Sequence, residues 1–131
     1  MEQTHARPRF LVADDMPAIA SLVSELLLEA GAEVVGQAFD GAEALQMFND
    51  FKPDGVVLDI EMPEMNGFRV LQEIRAREGE TRCLAIVLTA HHEHSMREQA
   101  YASGADHFLH KSTELERLLK IVPDFADRHG K

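Results

Sequence analysis

The sequence predicts an α/β fold, an open doubly wound sheet of five parallel strands with helices on both faces. Two observations predict it. Short apolar runs alternate with segments of helical period from one end of the chain to the other, making five strand-helix units. Right-handed crossovers then place helices on both sides of a mainly parallel sheet. Five units are too few for an eightfold barrel, and a length of 131 residues suits a single domain with one core.

The elements follow in order. Phe10–Ala13 is a short apolar strand. Met16 to Ala30 carries Ile19, Leu22, Val23, Leu26 and Leu27 at helical spacing, and Gly31 stops it. Glu33–Ala38 is the second strand. Asp40 is placed to cap a helix bearing Ala44, Leu45 and Phe48, and Lys52-Pro53-Asp54 is a turn. Gly55–Leu58 is a buried strand. Asn66-Gly67 opens a helix with Phe68, Val70, Leu71 and Ile74 apolar. Leu84–Leu88 is strand four, Ser95 is expected to cap a helix through Ala102, and His107–Leu109 is strand five. Ser112 or Thr113 is expected to cap a last helix carrying Leu115, Leu118, Leu119 and Val122. Pro123 is expected to kink or end that helix, leaving a core of about 9–122 and a short extension over 123–131 within one domain.

Composition narrows the function. The formal charge of −10 disfavours nonspecific binding to nucleic acid or to an anionic membrane, and suits cationic partners, metal ions included. No apolar run approaches the roughly 20 residues that span a bilayer. "MEQTHARPRF" holds no apolar signal core. A single cysteine, Cys83, permits no intrachain disulfide, so a cytoplasmic location is expected. Cys83 reads as a buried thiol without a role. "HHEH" has His91 and His94 at a ligand-like spacing, but no cysteine lies near and the segment begins in a loop, so it is not read as a metal site. Met62 and Met65 read as packing residues.

Two apolar strands end on acids. "FLVADD" leads into Asp14 and Asp15, and "VVLD" ends on Asp59. Ligands of open α/β sheets bind beyond the carboxyl ends of the strands. In the common order 2-1-3-4-5, strands one and three are neighbours, so these three acids would converge. Clustered carboxylates repel one another and raise each other's pKa, and a divalent cation relieves the repulsion. An all-oxygen set suits Mg²⁺. Any one acid alone reads equally well as a helix cap; three together at one sheet end do not. Thr89 ends strand four in "AIVLTA" and Lys111 follows strand five in "FLHKS". A hydroxyl and an ammonium on the same rim make a site for a phosphoryl group.

With these motifs in place, the chain resembles the receiver domain of two-component response regulators, a flavodoxin-like fold, over roughly Arg9 to Val122. The matching stretches are "VADD", "LDIEMPEMNGF", "LTA" and the lysine of "HFLHKS". The resemblance implies that Asp59 accepts a phosphoryl group from a sensor histidine kinase or a histidine phosphotransfer protein. It implies that Asp15, Asp59 and the Glu61 carbonyl hold Mg²⁺, with Asp14 acting mainly through water, and that Thr89 and Lys111 bind phosphoryl oxygens. Phe108 stands where the family has its switch aromatic, and is expected to move inward as Thr89 shifts toward the phosphoryl group. The output would pass to a protein partner or a second copy through helix four, strand five and helix five, with Arg97, Tyr101, His110 and Glu116 exposed.

The chain departs from the family at Ser112, where proline usually follows the lysine; a trans Lys111–Ser112 bond is expected, because a non-proline cis bond costs about 2.5–4 kcal/mol. Glu61 and His91 flank the pocket where the family tunes access to the acyl phosphate. Two rival readings share the fold. A flavodoxin-like small-molecule binder is disfavoured because strand one leads into "DDMPAI" rather than a glycine- and hydroxyl-rich phosphate loop. A Mg²⁺-dependent phosphohydrolase with Asp59 as nucleophile is disfavoured because Asp14 and Asp15 precede it and no cap domain fits. A start at Met1 without an obvious closing linker leads us to expect a stand-alone regulator.

Overall fold

The computed structural model describes residues 7–62, 66–90 and 94–129. Strands β1 (Arg9–Ala13), β2 (Glu33–Ala38), β3 (Gly55–Asp59), β4 (Leu84–Thr89) and β5 (His107–His110) form one parallel sheet in the order β2-β1-β3-β4-β5. Helices α1 (Pro17–Glu29), α2 (Gly41–Phe51), α3 (Gly67–Arg77), α4 (His94–Ala102) and α5 (Leu118–His129) connect or follow them.

Side chains alternate between the faces of a strand, and this divides the core in two. Phe10, Val12, Val57, Ile86, Leu88 and Leu109 face α1 and α5. Leu11, Ala13, Val56, Leu58, Val87 and Phe108 face α2, α3 and Ala100 of α4. The three central strands are buried along nearly their whole length, which explains runs that are apolar throughout.

Helix starts follow their local chemistry. Asp40 accepts a hydrogen bond from the Glu43 amide at 2.7 Å, and the Glu43 carboxylate accepts from the Phe39 amide at 2.7 Å. Asn66 accepts from the Arg69 amide at 2.9 Å. Gly67 opens α3 because nothing larger fits: a Cβ there would lie 2.5 Å from the Asp59 carbonyl oxygen and from Ile60 Cα. The glycine therefore lets α3 start directly against the end of β3.

Three expectations at element ends are corrected. Helix α4 is already formed at His94, so Ser95 lies within its first turn and does not cap it. Neither Ser112 nor Thr113 caps the last helix. Glu114 precedes a 3-10 turn over Leu115–Arg117 that runs into α5, and the Ser112 hydroxyl is instead engaged by His110 Nδ1 at 2.9 Å. Pro123 does not end α5, which continues to His129. The proline removes the hydrogen bond its position would donate to Leu119, but Phe125 beyond it packs edge-on against Phe10 with ring centroids 6.1 Å apart. That contact holds the second half of the helix to the sheet.

Arg75 makes a cross-link that has no local sequence signature. Its guanidinium donates to the carbonyls of Cys83 and Gly104, and pairs with Glu78 at 2.8 Å and Asp106 at 3.0 Å. It ties α3 to the starts of β4 and β5. Cys83 beside it is buried, and burial pushes its thiol up to about 12, leaving it protonated and inert. Met62 packs in the core as expected, whereas Met65 lies outside the described residues.

We expect Gly67→Ala to destabilise the protein by about 1–3 kcal/mol, the usual cost of overpacking, because the obstructing atoms are backbone. Urea unfolding checks this, and an unchanged midpoint would show that the β3–α3 junction yields freely.

Candidate phosphoryl-acceptor site

The sheet register builds the site. Ala13 pairs with Leu58 across β1 and β3, so the next residues, Asp14 and Asp59, emerge side by side. Asp59 pairs with Leu88 and Thr89 pairs with His110, which brings Thr89 and then Lys111 to the same rim. The Lys111 amide donates to the Thr89 carbonyl at 2.8 Å, fixing the two connections to each other.

Asp14, Asp59 and Thr89 are buried, while Asp15 is exposed at the mouth. The Lys111 ammonium lies 2.9 Å from Asp14 Oδ2 and 3.0 Å from Asp59 Oδ2. Asp14 Oδ1 accepts from the Met16 amide at 2.9 Å, and Asp59 Oδ1 accepts from the Glu61 amide at 3.0 Å. Each buried carboxylate thus spends one oxygen on a backbone N–H two residues on and turns the other toward the lysine. Asp14 Oδ2 has no aligned hydrogen-bond donor, and its contact with Lys111 is an ion pair by distance alone.

Burial pushes the Asp59 carboxyl up to about 6, assisted by the Asp14 charge and opposed by the Glu61 amide and Lys111. For Lys111, burial favours the neutral form, but its close contacts with the two carboxylates outweigh it and hold the ammonium above its ordinary value. The lysine therefore stays charged.

One carboxylate oxygen from each of Asp14, Asp15 and Asp59 lies within 4.8 Å of the others. Three carboxylates face one ammonium, so negative charge remains in excess. This set is oxygen-only, and Asp14 Oδ2 is buried without an aligned donor. Both features fit a hard divalent cation of the Mg²⁺ type.

The family profile described as response regulator receiver domain matches residues 10–123. The chain belongs to the response regulator receiver family. The chemotaxis protein CheY of Bacillus subtilis is 33% identical over 114 residues, which cover 87% of this chain and 93% of that protein. The DNA-binding dual master transcriptional regulator RpaA of Synechocystis is 38% identical over 115 residues, 88% of this chain but 47% of that protein. Among solved structures, the receiver domain of Francisella response regulator 1452 superposes with a TM-score of 0.83 at 30% identity, covering 94% of this chain and 99% of that one. Receiver domains are phosphorylation-switched signalling domains that bind Mg²⁺ at an acidic pocket and take phosphate from histidine kinases, and the Asp14, Asp15 and Asp59 cluster is compatible with such a pocket. These likenesses lend nothing to the phosphohydrolase or the flavodoxin-like binder.

The receiver brings together most of the residues its motifs suggested. His91 lies outside the described residues, and the Glu61 side chain is exposed. Among the described residues there is no cis peptide, so Lys111–Ser112 is trans. Two expectations are corrected. Phe108 does not wait outside: it is 6% exposed, among Ala100, Ala105 and Val87, with the Arg97 guanidinium 5.5 Å from its ring centre. The small alanines leave room for the ring in the unmodified protein. His110 is not on the surface with Arg97, Tyr101 and Glu116 but is 8% exposed. It lies two residues from Phe108, so strand alternation turns it to the same inner side. That parity was available in the sequence.

The raised Asp59 pKa has a stability consequence in metal-free protein. The folded state holds this proton more tightly than the unfolded chain does, so the contribution is fully present below pH 3.8 and lost as pH rises through about 6. Asp59→Asn should therefore stabilise metal-free protein at pH 7, by up to about 3 kcal/mol at 1.36 kcal/mol per pKa unit. Urea melts across pH should show this gain fading toward pH 4. A gain independent of pH would refute the assignment.

Proposed function

We propose that Asp59 is the phosphoacceptor of this receiver, taking a phosphoryl group from a phosphohistidine of a sensor kinase or phosphotransfer protein. The observation that carries the proposal is the place of Asp59 at the end of the central strand, buried between Asp14 after β1 and Thr89 on β4, with Lys111 3.0 Å from its Oδ2. Asp59 Oδ2 attacks phosphorus, the P–N bond to the donor imidazole breaks, and the nitrogen keeps the electron pair and takes up a proton. An acyl phosphate on Asp59 results. Lys111 then moves from a carboxylate to a phosphoryl oxygen, and the Thr89 hydroxyl donates to another. The protein positions groups and balances charge in such transfers, with little covalent work of its own.

Asp15, Asp59 and the Glu61 carbonyl would hold Mg²⁺, with Asp14 reaching it through water. When bound, the ion supplies positive charge that neutralises and orients the phosphoryl oxygens. The Glu61 side chain, at the mouth, would tune access of water to the acyl phosphate, and His91 is assigned the same part. The domain promotes its own phosphorylation and dephosphorylation and turns over no other substrate.

Output would leave through α4, β5 and α5, toward a protein partner or a second copy and without direct contact to nucleic acid. With Phe108 already buried, the response would run through Thr89 and through Arg97 above the ring. Arg97, Tyr101 and Glu116 offer exposed contacts there.

Incubation with acetyl phosphate and Mg²⁺ should label the protein to one phosphoryl group per chain, with none on Asp59→Asn. Lys111→Ala should retain partial labelling, since nucleophile and acidic cluster remain. Catalytic turnover of an added phosphomonoester, or full labelling of Asp59→Asn, would overturn the proposal.

A further inference from the structure

The His110 imidazole joins the two connections that flank the proposed acceptor. Its Nε2 lies 3.1 Å from the Ala90 carbonyl oxygen, in the residue after Thr89. Its Nδ1 lies 3.2 Å from the Ser112 amide nitrogen and 2.9 Å from Ser112 Oγ, in the residue after Lys111. The partners decide the protonation state. A carbonyl only accepts, so Nε2 carries the hydrogen. A backbone N–H only donates, so Nδ1 is the acceptor and the ring is neutral.

The sequence around the ring accounts for this bridge. A proline after Lys111 would present no N–H, whereas Ser112 presents one, and a backbone N–H needs an acceptor. His110, two residues back on a strand, supplies it. The backbone of His110 is held as firmly: its amide donates to Glu114 Oε1 at 2.9 Å, and its carbonyl accepts from the Glu114 amide at 3.0 Å. The ring thus stands on a fixed base and grips both connections.

We propose that His110 is a positioning residue for phosphoryl transfer. Through the Nε2–H tautomer it locks the Ala90 and Ser112 backbones together and so sets the spacing between Thr89 and Lys111, the pair that would hold the phosphoryl oxygens. This rests on the reading of Asp59 as acceptor. His110 touches no reacting atom. Its effect falls on the geometry reached during transfer and not on binding of the metal or the phosphodonor.

The test compares the parent with His110→Phe, which keeps a ring of similar bulk but none of its three polar contacts. With acetyl phosphate and Mg²⁺, the maximal rate of Asp59 phosphorylation should fall roughly tenfold, within the hundredfold that an ångström of misplacement can cost. The half-saturating concentrations of donor and Mg²⁺ should stay unchanged, a split that loss of folded protein alone would not produce. Ser112→Pro, which removes the donors to Nδ1 but leaves the Ala90 bond, should lower the rate in the same direction by less. In the parent, imidazole ¹⁵N NMR should show a protonated Nε2 and a pyridine-like Nδ1. An unchanged rate in His110→Phe overturns the positioning role while leaving the acceptor reading intact. A parent that is not labelled overturns the acceptor reading, and the role proposed here falls with it. If His110→Phe does not fold, the ¹⁵N spectrum and Ser112→Pro decide: an Nδ1–H ring, or full rate with proline, overturns the bridge.

Discussion

The Lys111 ammonium between Asp14 and Asp59 is the interaction on which the rest of the site depends. Two carboxylates buried side by side cannot both be ionised without a counter-charge, and taking ions out of water costs several kcal/mol each even after relaxation. The ammonium meets part of that cost from within the pocket, and the backbone amides of Met16 and Glu61 meet another part. The balance is incomplete, as the elevated Asp59 carboxyl shows. A site held short of positive charge is prepared for a divalent cation. On the proposed reading, it is equally prepared for a change of partner at Lys111 when Asp59 accepts a phosphoryl group.

The fold holds this unfavourable cluster in place by over-determining its surroundings. Asp14 and Asp59 continue adjacent strands whose preceding residues are fully buried. Gly67 starts α3 hard against the Asp59 carbonyl. The Lys111 amide is bonded to Thr89, and His110 spans the residues that follow both. Strain or repulsion at a functional site persists only where the scaffold leaves no relaxed alternative, and here each acid is anchored on a strand end between two packed cores. The Arg75 cross-link lies toward the other end of β4 and β5, where it fixes their approach without entering the site.

Much of this was legible in the sequence because it rests on period and position. Strand–helix alternation, with acids, threonine and lysine at strand ends, carries the topology and the composition of the rim. What escaped depends on contacts between distant segments. The persistence of α5 past Pro123 rests on Phe125 meeting Phe10. Arg75 reaches the Gly104 carbonyl 29 positions away, which no local pattern announces. Ser112 reads as a helix cap until His110 is seen to occupy its hydroxyl. His110 itself was misread as a surface residue although strand alternation from Phe108 turns it inward. The inward Phe108 needed knowledge of how much room Ala100 and Ala105 leave.

The central claim is that Asp59 is a buried carboxylate whose charge is only partly compensated by Lys111 and the Glu61 amide. Carboxyl ¹³C NMR of Asp59, titrated with pH in the absence and presence of Mg²⁺, tests it most directly. The account predicts a midpoint near 6 without metal and a marked fall when Mg²⁺ is added. A midpoint near the ordinary 3.8 that does not respond to the ion would contradict it.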